Sequence, residues 1–180
     1  KLMRVDDRMI HGQVAIAWSK ALEFKVLMVA SDVAAASKTQ TMALKMAGPP
    51  SSKTTVQSIE QAIKTINDPR TANTAIGIIV TNLKDALAIA QGATDQVKRI
   101  NFGNYGRLNG GDVSKKKKLS DNVYVDEEDL KVIEEMKKTG IPIDVQLLPY
   151  MAMVTLDDVL KKDRKSTRLN SSHQKISYAV

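Results

Sequence analysis

The fold is decided by residues 75–81, AIGIIVT, a short apolar run that is bounded on each side by a polar turn. A run of this length between turn signals is typical of a buried strand. The next segment, Lys84–Ala90, has helical spacing and ends at Gly92, and glycine commonly follows the last turn of a helix. A buried strand that is followed by a helix is the repeating unit of a parallel sheet.

The same alternation extends over the rest of the chain. Further predicted strands are Leu2–Val5, Phe24–Ala30, Thr54–Gln57, Arg99–Phe102, Val123–Val125 and Ile141–Leu148. Further predicted helices are Gln13–Leu22, Ala34–Ala47, Ser58–Ile66, Asp126–Gly140 and Leu156–Leu160. This order predicts an α/β fold, with an open, mainly parallel sheet and helices on both faces, in a single domain. Ligands of such sheets bind beyond the carboxyl ends of the strands, so the loops after the strands are the candidate functional loops. On the helix at 34–47, we expect Met42 and Met46 to lie in the core.

The composition is that of an ordinary globular protein. The chain has 180 residues, of which 43% are hydrophobic and 26% charged, and this argues against a disordered or fibrous protein. No apolar stretch approaches the roughly 20 residues that cross a bilayer, and no secretory signal is indicated. The absence of cysteine excludes a disulfide framework and cysteine nucleophiles. We therefore expect a cytosolic protein.

Residues 163–180 differ from the rest of the chain. The run DRKSTRLNSSH (163–173) resembles, residue for residue, the translation of a common sequencing adapter, and ISYAV (176–180) resembles its continuation. We therefore expect an artefactual, disordered tail at 163–180 and a domain at 1–162. The tail holds four basic residues and one acidic residue, so that without it the formal net charge falls from +7 to +4. Much of the basic charge that would suggest nucleic acid is then outside the domain.

The loop after the first strand carries the chemistry. It reads DDRMIHGQ (6–13) and lies directly between a predicted strand and a predicted helix. Gly12 has no side chain, so another molecule can approach the ring of His11 closely. The N-terminus of the following helix offers unpaired N–H groups and the positive end of its dipole. The planar guanidinium of arginine binds phosphoryl oxygens through several N–H donors. Arg8, His11 and this helix end together therefore predict a phosphorylated histidine.

The two aspartates of this loop leave alternatives open. Asp6 and Asp7 could fix the tautomer of the imidazole or orient the guanidinium of Arg8. Alternatively, one of them caps the turn and the other is solvated.

Polar residues follow other strands at the same predicted edge. Ser31 and Asp32 come after the second strand, Asn82 after the fourth, and Asn101 and Gly103 at the end of the fifth. They are candidates for the rim of the phosphoryl site, although Ser, Asp and Asn at such places are usually helix caps.

Two further segments are interpreted without a catalytic role. The run NFGNYGRLNGG (101–111) lacks the spacing of a phosphate-binding loop, and a flexible docking loop is the better interpretation. Lys115–Lys118 is interpreted as solvated charge.

The string RVDDRMIHGQV (4–14), followed by Trp18, resembles the start of the IIB component of the mannose/fructose/sorbose family of the sugar phosphotransferase system. The typical pattern of that family is R-[IV]-D-D-R-L-I-H-G-Q-V, so Met9 stands where leucine is usual. Weaker similarities follow at KMAGPP (45–50), INFGN (100–104) and GIP (140–142). The resemblance covers residues 1–162.

This resemblance implies a cytoplasmic phosphocarrier that belongs to a sugar kinase system. His11 falls at the family's histidine, which takes a phosphoryl group from the phosphohistidine of a IIA partner and passes it to a sugar that the membrane subunits IIC and IID bring through the bilayer. Arg8 falls at the family's transition-state arginine. Supporting positions of the same motif are Asp6, Asp7, Gly12 and Gln13. The resemblance also implies peripheral association with the inner face of the membrane through IIC and IID, is compatible with a homodimer, and calls for no metal, cofactor or nucleic acid.

A second class of function remains open. A non-catalytic α/β module could bind phosphates or nucleic acid through Arg8, the helix N-terminus and Lys115–Lys118. The lysines would then dominate a steep salt dependence, and His11→Ala would only weaken binding. The aromatic content of 4% and the lower charge of residues 1–162 disfavour nucleic acid.

Overall fold

A seven-stranded sheet forms the centre of the protein. The structure is a computed structural model that describes residues 1–108 and 112–161, without the side chains of residues 13 and 14. The strands of this sheet are β1 (Leu2–Val5), β2 (Val26–Ala30), β3 (Lys53–Gln57), β4 (Ile76–Val80), β5 (Arg99–Phe102), β8 (Ile143–Val145) and β9 (Val154–Thr155). Their order is β3-β2-β4-β1-β5-β8-β9, and every neighbouring pair is parallel except β8 and β9. The predicted α/β fold with a mainly parallel sheet is confirmed.

Helices cover both faces of the sheet. They are α1 (Gly12–Ala21), α2 (Asp32–Ala36), α3 (Lys38–Ala47), α4 (Ile59–Asn67), α5 (Leu83–Gly92) and α6 (Glu127–Lys138). Short 3₁₀ helices lie at Pro69–Thr71 and Val113–Lys115, and residues 156–161 are helical. Alternate strand residues face opposite ways, because Met3 and Val5 pack with α4, α5 and α6, whereas Leu2 packs with α1, α2 and α3. Within the part of the chain that the structure describes, no helix is both long and apolar enough to cross a membrane.

The loop after β1 lies at a change of direction in the strand order. From β1 the chain crosses to β2 on one side, and from β4 it crosses to β5 on the other side. Such a topological switch point opens a crevice at the carboxyl ends of the strands, where ligands of this architecture bind. The fold therefore places the loop at 6–11 at the position where a site is expected.

The single helix predicted over 34–47 is wrong in one respect, because the structure has two helices there. Ser37 separates them with an extended backbone at φ −100° and ψ 111°. Its side chain accepts the backbone N–H of Gln40 at 3.2 Å and so begins α3. The residues on both sides, AAA (34–36) and MAL (42–44), are strong helix formers, so composition alone does not mark the break.

The predicted core position of Met42 and Met46 is also wrong. These side chains are 66% and 82% exposed, whereas Leu44 between them is buried. Residues two positions apart on an α-helix do not share a face, so α3 places Leu44 inward and both methionines outward.

The C-terminal part of the chain departs most from the predicted pattern. The strand predicted over 141–148 covers only Ile143–Val145. Beyond it the chain turns, and the side-chain amide of Gln146 donates to the carbonyls of Pro149 and Met151. The strand at Val123–Val125, β7, pairs antiparallel with β6 (Lys117–Ser120) in a separate two-stranded sheet. The sequence analysis predicts neither β6 nor β9, since one is lysine-rich and the other has only two residues. The predicted tail at 163–180 lies outside the described residues, so the boundary at 162 stays a prediction.

Candidate active site

The loop at 6–11 is fixed between the ends of two neighbouring strands. The backbone N–H of Asp6 donates to the carbonyl of Val80 at 2.9 Å, at the end of β4. The backbone N–H of Asp7 donates to the carbonyl of Asn104 at 2.9 Å, just beyond β5. These two bonds continue the ladders of β1 to either side and hold the start of the loop at the switch point.

His11 is the residue that precedes the first turn of α1. Its backbone is extended, at φ −117° and ψ 100°, and its side chain makes no capping hydrogen bond. The residue is exposed, so that the imidazole is available to another molecule at the N-terminus of a ten-residue helix. Among the described residues, a Cβ atom on Gly12 would meet nothing within 4 Å. The space beside the histidine is therefore open.

Asp6 is a buried carboxylate, 1% exposed, that lies between two guanidinium groups. Its Oδ2 accepts Nη2 of Arg4 at 3.0 Å and Nδ2 of Asn104 at 3.3 Å. Its Oδ1 accepts the backbone N–H of Arg8 at 3.2 Å and the Nε of that residue at 3.5 Å. Of the alternatives for this aspartate, the contacts favour orientation of the arginine. The Arg8 side chain is 28% exposed, so it pairs with Asp6 and still reaches solvent.

Asp7 bonds the loop after β5 to the loop at 6–11. It is 8% exposed, and its Oδ2 accepts the backbone N–H of Leu108 at 3.1 Å. Its Oδ1 has no hydrogen-bond partner among the described residues, and residues 109–111 lie outside them. Neither aspartate is solvated, so that part of the alternative is wrong. The turn cap that it also predicted is present at Asp6, whose Oδ1 accepts the backbone N–H two residues further on.

Met9 gives the loop its turn. Its backbone lies in the left-handed region at φ 58°, a conformation that costs a non-glycine residue about 1–2 kcal/mol. The side chain packs against the buried cluster that includes Trp18, and its sulfur accepts Nε2 of Gln40 at 3.7 Å. The apolar side chain offsets the backbone cost and so fixes the path from Arg8 to His11.

The polar residues after β2 and β4 act as helix caps. Ser31 and Asn82 each accept, on the side-chain oxygen, the backbone N–H three residues further on, at 3.3 and 2.8 Å. Asp32 accepts the backbone N–H of Ile59 at 2.9 Å, at the start of α4. The expectation that Ser31 and Asn82 are caps is confirmed.

The two predicted rim residues at the end of β5 lie beneath the loop. Asn101 is fully buried; its Nδ2 donates to Oδ1 of Asp144 at 2.7 Å, and its Oδ1 accepts Nη1 of Arg4. A Cβ atom on Gly103 would lie 2.0 Å from Nη2 of Arg4. Asn101 therefore binds the guanidinium of Arg4, and Gly103 leaves the space that this guanidinium occupies.

The contacts around Arg4 form a buried charged cluster with Asp6, Arg99 and Asp144, and this cluster was not predicted from the sequence. Arg4 is 4% exposed, and burial lowers the pKa of its guanidinium, while the carboxylates of Asp6 and Asp144 oppose that shift. Trp18 lies against the guanidinium carbons of Arg4 and Arg99, at 5.3 and 5.6 Å from its ring centroid. The available signal was a charged residue inside each of two apolar strands, LMRV and IDV.

With this geometry established, comparison with known proteins identifies the family. The model of a family described as the sorbose subfamily IIB component of the phosphotransferase system matches residues 1–171. The chain belongs to this family. A probable phosphotransferase enzyme IIB component of Streptococcus pyogenes is 38% identical over 161 residues, which cover 88% of this chain and 97% of that protein.

Two further IIB relatives extend the comparison. The crystal structure of the IIBSor domain of the sorbose permease from Klebsiella pneumoniae superposes with a TM-score of 0.78 at 27% identity, over 89% of this chain and 95% of that one. The mannose-specific EIIAB component of Escherichia coli K12 is 27% identical over 161 residues, which cover 89% of this chain and 48% of that longer protein.

Family membership confirms the predicted function. The protein is a IIB component of the sugar phosphotransferase system, a sugar phosphotransferase that receives a phosphoryl group from IIA and passes it to sugar, together with the membrane subunits IIC and IID. The alternative of a non-catalytic anion- or nucleic-acid-binding module is not favoured.

Proposed function

We propose that His11 is the phosphoryl acceptor and donor of this IIB component, and that Arg8 stabilises the phosphoryl group during transfer. One observation carries the proposal. His11, the only histidine among the described residues, is exposed at the N-terminus of α1, in the same loop as an arginine that Asp6 orients.

Two displacement steps at phosphorus account for the activity. In the first, a ring nitrogen of neutral His11 donates its electron pair to the phosphorus of the IIA phosphohistidine. The N–P bond to the IIA imidazole breaks, and that imidazole keeps the bonding electrons. In the second step, the oxygen of a sugar hydroxyl attacks the phosphorus on His11. The N–P bond to His11 breaks and the ring nitrogen keeps the bonding electrons, while the hydroxyl proton is released to water, so that neutral His11 and the sugar phosphate are formed.

Both steps need charge stabilisation more than covalent assistance. The charge on the transferred group is spread over its equatorial oxygens, which must be matched by fixed positive groups. The first N–H groups of α1 have no partner within the helix, and the dipole of the helix favours an anion at this end. The guanidinium of Arg8 would bind the same oxygens from the side of the loop.

The neighbouring residues have supporting roles in this proposal. Asp6 orients Arg8, Asp7 holds residues 103–108 against the loop, and Gly12 keeps the approach to His11 open. The Gln13 side chain lies outside the described residues, so its supporting role rests on the sequence motif. Ser31, Asp32 and Asn82 shape the rim as helix caps.

The substrate and location follow from the partners. We propose that the acceptor is a hexose-type sugar presented by IIC and IID, since the named relatives are specific for sorbose and mannose. The protein would then work in the cytoplasm, at the inner face of the membrane, where it meets both IIA and the membrane subunits.

Phosphoryl transfer to the full chain tests the acceptor. Phosphoenolpyruvate, the general carriers of the system and a cognate IIA are incubated with the wild-type protein, with His11→Ala and with His173→Ala. We expect an acid-labile, base-stable phosphate on the wild type and on His173→Ala, and none on His11→Ala. Labelling of His11→Ala at the wild-type rate, in a folded protein, would contradict the proposal.

A further inference from the structure

Arg4 lies beneath the active-site loop, on β1, two residues before Asp6. We propose that Arg4 is a positioning residue for phosphoryl transfer, which holds Asp6 and, through Asp6, the guanidinium of Arg8 in the geometry that the reaction requires. This inference rests on the proposed roles of His11 and Arg8.

The guanidinium of Arg4 is fixed by bonds to three parts of the fold. Its Nη2 donates to Oδ2 of Asp6 at 3.0 Å and to the carbonyl of Leu147 at 3.2 Å. Its Nη1 donates to the carbonyl of Gln146 at 3.1 Å and to Oδ1 of Asn101. The planar fork of an arginine is held in one orientation by such a set of acceptors. The carboxylate of Asp6 is therefore bonded to a group that is itself anchored to β5 and to the chain beyond β8.

The space around this guanidinium allows little movement. The centroid of the Trp18 ring, on α1, lies 5.3 Å from Cζ of Arg4. On Gly103, any side chain would begin 2.0 Å from Nη2. Because Arg4 is confined between the helix that His11 precedes and the end of β5, the position of Asp6 is tied to the position of α1.

The charge balance around Asp6 also depends on Arg4. Asp6 is 1% exposed, and its negative charge acts on Arg8 at short range with little screening by water. If Arg8 were its only partner, the pair would carry no net charge and would stabilise a phosphoryl group poorly. With Arg4 as second partner, the Asp6 carboxylate faces two guanidinium groups, so that the three groups together carry one net positive charge. Arg4 thus leaves the charge of Arg8 available to the phosphoryl oxygens.

A double-mutant cycle separates this role from a general contribution to folding. Single-turnover transfer from phosphorylated IIA is measured for the wild type, Arg4→Gln, Arg8→Ala and the double variant. We expect Arg4→Gln to lower the transfer rate by about 10²-fold and to leave the half-saturating concentration of phosphorylated IIA unchanged. In the Arg8→Ala background, the same substitution should change the rate by no more than about twofold, because the two residues act in one chain of contacts.

Arg99→Gln is the matched control. Arg99 also lies against Trp18 and bonds the carboxylate of Asp144, but among the described residues it has no bond to Asp6. We expect its rate to stay within about twofold of the wild type. Arg4→Lys keeps the charge and loses the fork, so it should recover part of the rate that Arg4→Gln loses.

Gly103→Ala gives a second variant in case Arg4→Gln does not fold. The added methyl group displaces the Arg4 guanidinium without removing any charge, and we expect the same loss of rate and the same dependence on Arg8. Equal factors in both backgrounds, for either variant, would overturn the inference while leaving the role of His11 intact. If no phosphate is found on His11 of the wild-type protein, the proposed function is overturned instead.

Discussion

Arg8 combines two properties that a phosphoryl-transfer group needs, because it is anchored and yet reaches solvent. Its Nε and backbone N–H both bond Oδ1 of Asp6, at 3.5 and 3.2 Å, while the side chain is 28% exposed. The anchored end limits the entropy that is lost when the guanidinium binds the phosphoryl group. The exposed end can contact a phosphoryl group that arrives on a partner protein.

Substitution of Arg8 tests this role directly. We expect Arg8→Ala to lower the single-turnover transfer rate from phosphorylated IIA by roughly 10³-fold or more, by analogy with an arginine finger. Arg8→Lys keeps the positive charge but loses the planar guanidinium group, so its rate should lie between those of the wild type and of Arg8→Ala. Because the side chain is partly exposed and its pair with Asp6 is long, the urea midpoint should change little. A rate for Arg8→Ala within tenfold of the wild type would contradict the assignment.

Single residues also show how far the sequence determines the site. The motif at 4–14 gives His11, Arg8 and Asp6 as candidates because they lie within one short loop, and the structure places Asp6 against Arg8. The roles of Arg4 and Asn101 could not be predicted in this way. Their contacts join β1, β5 and β8, which are far apart in the chain, so only the folded sheet brings them together.

At the scale of elements, the central strands and the edge strand β3 were predictable, whereas β6 and β9 were not. Runs such as 75–81 are apolar on both faces, because helices cover both sides of the central strands. The edge strand β9 has two residues, and β6 carries lysines that also protect an edge from further pairing. The break between α2 and α3 depends on a side-chain cap at Ser37, which competes with a continuous helix by a small free energy.

The start of α6 is joined to the loop after β5 by a buried hydroxyl. Tyr105 donates to Oδ1 of Asp129 at 2.6 Å, and Asp129 also completes a capping box with Asp126 at the N-terminus of α6. Burial raises the pKa of the Tyr105 hydroxyl, and the hydrogen bond to Asp129 and the negative charge of that residue raise it further. The folded protein therefore keeps this tyrosine neutral at a pH where the unfolded chain ionises it.

The sign of the resulting pH dependence follows from that direction. A group whose pKa is raised by folding contributes stability below its unfolded pKa, about 10 for tyrosine, and loses it as the pH rises further. Above pH 10 the free energy of unfolding should fall by up to about 1.4 kcal/mol per pH unit from this group alone. We expect Tyr105→Phe to lower the free energy of unfolding by about 1 kcal/mol at neutral pH. Between pH 10 and 11, the free energy of unfolding of this variant should fall by less than that of the wild type. Urea unfolding of both proteins at each pH gives the difference, and parallel curves above pH 10 would contradict the prediction.

At the scale of the whole molecule, the site is placed by topology and supported from below. The strand order puts the loop at the switch point between β1 and β4, and the charged cluster around Arg4 fills the sheet beneath it. Packing on the opposite face, against α4, α5 and α6, is apolar. The face of Arg4 also carries an apolar cluster, which includes Leu2, Trp18 and Ile79, so the charged residues and part of the hydrophobic core share that side of the sheet.

The extent of this domain along the chain is the last property to test. Leu156 and Val159 of the final helical segment are buried in the core, so a chain that ends at 162 keeps these apolar contacts. The predicted boundary lies there, whereas the family match runs to 171. If the predicted boundary is correct, chains that end at 162, 171 and 180 should have melting temperatures within about 2 °C of one another and equal rates of phosphoryl transfer from IIA. A chain ending at 162 that melts lower than one ending at 171 would show that the domain extends beyond 162. If the chains ending at 162 and at 171 both melt lower than the chain ending at 180, residues 172–180 contribute to folding.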